Sequence, residues 1–173
     1  MQLGAPGVGI SSKGIRIATG VMSGERVMLA FAKFIEPVNT IEHFDDLPIP
    51  YRAVAADLNT GLPVVIDDGD LALAMRASMS VPGVWPPVVR GDKVLVDGGV
   101  ARNVPVEEVR AMGADIVIAV DVGTPLATLE ADASVLSVVV QLSGFLTDRN
   151  TQASLASLDG MDVMIRPPLG NRV

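Results

Sequence analysis

The run DIVIAVDV, from Asp115 to Val122, most limits what this chain can fold into. It is rich in Ile and Val and closed off by Gly113 and Gly123, so it has the length and branching of a strand rather than a helix. An unbroken apolar run of this kind is the pattern of a strand covered on both faces, as in sheets flanked by helices. The chain must therefore alternate strands with helices, and the segments around the run do so.

Ser23 is placed to cap a helix over Glu25 to Ile35, which Pro37 ends. Tyr51 to Leu58 and Leu62 to Ile66 flank an Asn59-Thr60-Gly61 turn and read as a hairpin. Asp67-Asp68-Gly69-Asp70 then caps a helix from Leu71 to about Met79, stopped by Pro82 and Gly83. A second hairpin pairs Val88 to Arg90 with Lys93 to Val96 across Gly91-Asp92, and its second arm delivers Asp97. Asn103 and Pro105 open a helix that Gly113 closes, with the two glycines of Asp97-Gly98-Gly99 lying before it. A long helical region from about Ser134 to Leu158 leads to a last strand, Asp162 to Arg166. Met1 to about Val21 is loop, with one short strand near Ile15 to Ala18. The class is α/β in three layers. With 173 residues, no repeat and no linker, residues 1–173 are expected to form a single unit.

Composition narrows the partners. At 3% aromatic residues and a net charge of −7, the surface offers few stacking platforms and repels phosphate backbones, so nucleic acid is excluded as a partner. No cysteine is present, which removes disulfides, thiolate zinc sites and thiol catalysis together. The N-terminal stretch has no signal-like apolar run, and Val135 to Leu146 is shorter than a membrane span, so a cytoplasmic location is expected.

Three features mimic sites. Gly4-Ala5-Pro6-Gly7-Val8-Gly9 has the glycine spacing of a phosphate-cradling loop, but Ile10 stands where the lysine is needed and Lys13 comes three residues late. His43, the sole histidine, lies in the acidic stretch IEHFDD and reads as a loop residue. Asp67, Asp68 and Asp70 lack the spaced ligands and distal glutamate of a calcium loop, so a helix cap accounts for them better. No metal site and no cofactor are expected. Asp97 is different, because the carboxyl end of a strand in an α/β sheet is where catalytic side chains converge. The bare tripeptide also fits a turn, with Gly98 and Gly99 either permitting positive φ or letting another backbone or a substrate approach the carboxylate.

Three segments together carry a more specific resemblance: LPIPYRAVAADLNTG, GDLALAMRASMSVPGVWPPV and LVDGGVARNVPVEEVRAMGADIVIAVDVG. They resemble the bacterial patatin-like phospholipases of the branch related to neuropathy target esterase, and the likeness continues through LTDRNTQASLASLDGMDVMIRPPLG. The resemblance implies a three-layer, modified α/β-hydrolase-like fold and a Ser-Asp dyad that cleaves fatty-acyl esters of lipids without metal or histidine. Asp97 matches the dyad aspartate of the family's Asp-Gly-Gly motif, with Gly98 and Gly99 its motif glycines, and the segment around Arg76, Ser78, Ser80 and Pro82 forms a wall beside the pocket. Arg76 and both serines otherwise read as helix-surface and capping residues.

The family's nucleophile is the serine of a G-x-S-x-G elbow, preceded by a glycine-rich oxyanion loop. Neither is in this chain. Ser11 follows Gly9 by two residues, yet Lys13 takes the place of the closing glycine, and Ser23 and Ser78 also miss the pattern. The chain is thus expected to be the C-terminal part of a patatin-like catalytic domain, N-terminally incomplete and inactive alone. Its partners would be a lipid or fatty-acyl ester, transiently a membrane surface, and a second copy through an exposed sheet edge. Two other readings remain: a non-catalytic binding or regulatory fragment of the same fold, and a nucleotide-binding protein.

Overall fold

The computed structural model describes residues 8–11, 14–17, 24–123 and 125–168. Its elements are β1 (Val8–Ser11), β2 (Gly14–Ile17), α1 (Glu25–Ile35), β3 (Ala53–Asp57), β4 (Pro63–Ile66), α2 (Leu71–Ser78), β5 (Val88–Arg90), β6 (Lys93–Asp97), α3 (Gly99–Arg102), α4 (Val106–Ala111), β7 (Ile118–Val120), α5 (Val135–Leu155) and β8 (Val163–Ile165). Helices and strands mix along the chain, as the α/β class requires. β1 and β2 form an antiparallel pair where one short strand was expected.

The two central hairpins join into one antiparallel sheet of order β4-β3-β6-β5. Each is turned by a glycine in the left-handed region, Gly61 at φ +73° and Gly91 at φ +62°. All five residues of β3 are buried, because β4 and β6 flank it while α2 and α3 lie against it. Small residues make this approach possible: Ala53 and Ala55 meet Ala74 and Ala77 of α2, with Phe44, Ile66, Val88 and Leu95 filling the remaining volume. Asp70 caps α2 by accepting the Leu73 N–H at 2.9 Å, which is the role expected of the acidic run. Gly24 stands at the N-cap position of α1, and Ser23, the expected cap, lies outside the described residues.

The DIVIAVDV segment departs from expectation. Only Ile118–Val120 is strand, paired in parallel with β8 alone among the described residues. Val117 and Ala119 pack on Val104, Val106, Leu155 and Leu158, while Ile116, Ile118, Val120 and Val122 are exposed. One face is covered, not two, since no described strand or helix lies on the other. α5 is similarly bare: Ser134 caps it through the Ser137 N–H at 3.1 Å, and Thr151 is its only buried residue. No helix among the described residues is long and apolar enough to cross a membrane.

Candidate functional site

Asp97 closes β6, where it pairs with Ala55 of the central strand, and the chain then turns at once into α3. Backbone and side-chain hydrogen bonds fix this turn. The Asp97 N–H donates to the Ser80 carbonyl at 3.0 Å and the Gly98 N–H to the Ser78 carbonyl at 3.2 Å. The Arg102 N–H donates to the Gly98 carbonyl at 2.7 Å, and the Gly99 N–H to Asp97 Oδ1, also at 2.7 Å. The Ser78 and Ser80 carbonyls thus tie the segment around Arg76, Ser78, Ser80 and Pro82 to the Asp97 turn.

The glycines serve close approach and not positive φ. Gly98 has φ −62° and ψ −27°, ordinary right-handed geometry, but a Cβ there would sit 2.0 Å from the Val54 carbonyl oxygen. A Cβ on Gly99 would lie 2.9 Å from Asp97 Oδ1, 3.1 Å from Asn103 Oδ1 and 3.4 Å from Thr147 Oγ1. Asp97 is half-buried, and burial pushes its carboxyl above the usual carboxylate range, with the Gly99 N–H pulling weakly the other way. Such a carboxylate is a stronger base than a solvated one, which suits it to accept a proton.

The hydroxyls nearby are otherwise engaged. Ser78 Oγ donates to the Val54 carbonyl at 2.7 Å and Ser80 Oγ to the Arg76 carbonyl at 2.7 Å. Among the described residues no serine hydroxyl hydrogen-bonds Asp97. The Ser11 side chain and Ser23 fall outside them, as do Gly4, Ala5, Pro6, Gly7 and Lys13 of the glycine-rich stretch. Arg76 is not a helix-surface residue. Only 5% exposed, it stacks 5.0 Å above the Trp85 ring and donates to Ser80 Oγ and the Pro86 carbonyl, and its burial lowers its pKa.

His43 is exposed and forms a lone β-bridge with Asp68, whose carboxylate pairs with Arg90. No group of three metal-ligating side chains occurs among the described residues. Two features escaped the sequence reading. Asp121, at the end of β7, is held below the usual carboxylate range by the Gly123 N–H and by Arg166, which donates from Nη2 at 2.6 Å and Nε at 3.0 Å. Asn150 of α5 reaches the Asp97 turn from far along the chain, donating to the Gly99 carbonyl at 2.7 Å.

Known proteins are similar to part of this chain. An uncharacterized NTE family protein of Mycobacterium tuberculosis is 37% identical over 103 residues, covering 60% of this chain and 28% of the relative. Patatin-like phospholipase domain-containing protein 7 of Mus musculus is 42% identical over 82 residues, 46% of this chain and 6% of that protein. Patatin-like phospholipase domain-containing protein 6 of Homo sapiens is 38% identical over 97 residues, 55% of this chain and 7% of that protein. The chain thus spans less than a third of the length of each of these relatives. The family model for patatin-like phospholipase matches residues 10–110, a stretch that holds the central sheet, Asp97 and both glycines beside it, and the chain belongs to that family.

Proposed function

We propose that this chain carries the proton-accepting half of a serine acyl hydrolase acting on fatty-acyl esters of lipids, with Asp97 as the base. The observation that supports this most is the Asp97 carboxylate itself: strand-end, half-buried, aimed by the Gly99 N–H and raised in basicity by burial. In the reaction a serine oxygen adds to the ester carbonyl while its proton passes to Asp97. The tetrahedral adduct collapses, and the departing alcohol takes that proton, leaving an acyl-serine. Asp97 then deprotonates a water that attacks the acyl-serine, and its proton returns to the serine oxygen as the fatty acid leaves. The cycle needs no metal and no redox cofactor.

The nucleophilic serine and its oxyanion donors belong, on this reading, to polypeptide other than these 173 residues. The absence of a G-x-S-x-G pattern supports it, as does the small share of each relative that the chain covers. The exposed apolar residues of α5 suit transient contact with a lipid surface, and the edge of β7 left unpaired among the described residues suits pairing with a second copy.

The test compares p-nitrophenyl acyl ester hydrolysis by the chain, by its D97N variant, and by a chimera joining it to the part of the mycobacterial relative that precedes the match. Hydrolysis by the chimera alone, abolished by D97N, is the expected result. Hydrolysis by the chain itself that D97N removes would place a nucleophile within it. An active chimera indifferent to D97N would overturn the role of Asp97.

A further inference from the structure

Asn150 belongs to α5, beyond the residues that the family model matches, yet its side chain enters the Asp97 turn. Its carboxamide bridges a backbone group at the start of α3 and one at its C-cap. Nδ2 donates to the Gly99 carbonyl at 2.7 Å, and Oδ1 accepts the Asn103 N–H at 2.7 Å. Gly99 and Asn103 are four residues apart, the pair that would bond each other directly if α3 continued as a helix. The carboxamide takes the place of that bond, as an inserted peptide group would. Nδ2 also faces the Leu146 carbonyl at 2.8 Å and the Val100 carbonyl at 3.3 Å, so a flipped amide would set oxygen against three carbonyls.

Gly99 is therefore held at both of its polar groups: its N–H by Asp97 Oδ1, its carbonyl by Asn150. A second tie runs from Asn103 Nδ2 to Thr151 Oγ1 at 2.9 Å. We infer that Asn150 is a positioning residue for Asp97, acting through Gly99 to fix where the carboxylate points. Its value to catalysis rests on the proposed role of Asp97 as the base, but the coupling itself can be measured without any activity.

The experiment uses the isotope-labelled 173-residue chain and its N150L variant, which keeps approximate volume and removes both hydrogen-bonding groups. In the unmodified chain the Gly99 amide proton shift follows Asp97 ionisation through their hydrogen bond. In N150L that pH-dependent change falls by about half or more, because the bond lengthens or bends. The Val117 amide, bound to Asp162 Oδ1 at 2.8 Å, keeps its own titration and serves as the internal control. An unchanged Gly99 titration in folded N150L overturns the inference, and a purely structural Asn150 would give that result. Should N150L not fold, the unmodified chain decides: the Asn150 side-chain amide protons exchange about tenfold more slowly than those of exposed Asn59. Equal rates overturn the inference. Loss of the coupling leaves the hydrolysis test of Asp97 untouched, so the two readings fail separately.

Discussion

Gly98→Ala tests the close packing beneath Asp97, because its expected sign is opposite to the usual one. Gly98 has φ −62° and ψ −27°, where alanine ordinarily stabilises by about 0.4–1 kcal/mol through the unfolded chain. Here the added Cβ would lie 2.0 Å from the Val54 oxygen and 2.6 Å from its carbonyl carbon. Those atoms belong to β3, which β4 and β6 pin from both sides, so the turn must move instead. Overpacking of this kind costs about 1–3 kcal/mol. Movement also weakens the Gly98 N–H bond to Ser78 and the Asp97 N–H bond to Ser80, at about 1 kcal/mol each. After the backbone gain is subtracted, G98A should lose about 2–4 kcal/mol, a large part of the roughly 5–15 kcal/mol typical of a domain. The assay is urea unfolding followed by the fluorescence of Trp85, the only tryptophan. At a slope of about 1–3 kcal/mol per molar urea, the midpoint falls by about 0.7–4 M. Gly160→Ala is the control: nothing lies within 4 Å of its Cβ position, so its stability stays within about 0.5 kcal/mol. A G98A midpoint equal to or above the unmodified chain's would refute the packing argument.

Two further outcomes are expected. Because burial raises the Asp97 pKa, the folded chain holds that proton more tightly than the unfolded chain, so this contribution to stability is complete below the unfolded pKa and is lost as pH rises through the folded one. D97N should therefore raise the urea midpoint at pH 7, and the gain should vanish below about pH 3.9; a gain independent of pH would contradict the sign. V120K places a charge on the exposed side of β7 and should shift sedimentation at high protein concentration towards the monomer, whereas unchanged association would remove the β7 edge from the proposed self-contact.

The elements that local chemistry specifies were legible. Gly61 and Gly91 mark turns because their backbone needs positive φ, and Asp70 marks a helix start because its carboxylate reaches Leu73. Long-range facts were not. An apolar run announces burial but cannot say how many neighbours cover it, and DIVIAVDV has a covered and a bare face. Arg76 looked like a surface residue because a charged side chain in a helix usually is one, and nothing local to ALAMRAS shows Trp85 folding under it. Of the two uses open to Gly98, only the placement of Val54 selects close approach over positive φ.

Asn150 shows why a family match can contain a site's central residue without all of its support. The matched residues 10–110 include Asp97, Gly99 and Asn103, but the groups that satisfy the Gly99 carbonyl and the Asn103 N–H come from α5. Gly99 is buried, so a carbonyl deprived of its donor there has no ready replacement in solvent, and such a loss costs about 1–3 kcal/mol. That cost falls on the turn that aims Asp97. Apart from Leu155, which packs on the Val104 and Val106 cluster, α5 keeps most of its large apolar side chains exposed, and Thr151 is its only buried residue. The polar ties at Asn150 and Thr151 thus work in both directions, fixing the turn on the helix and the helix on the turn.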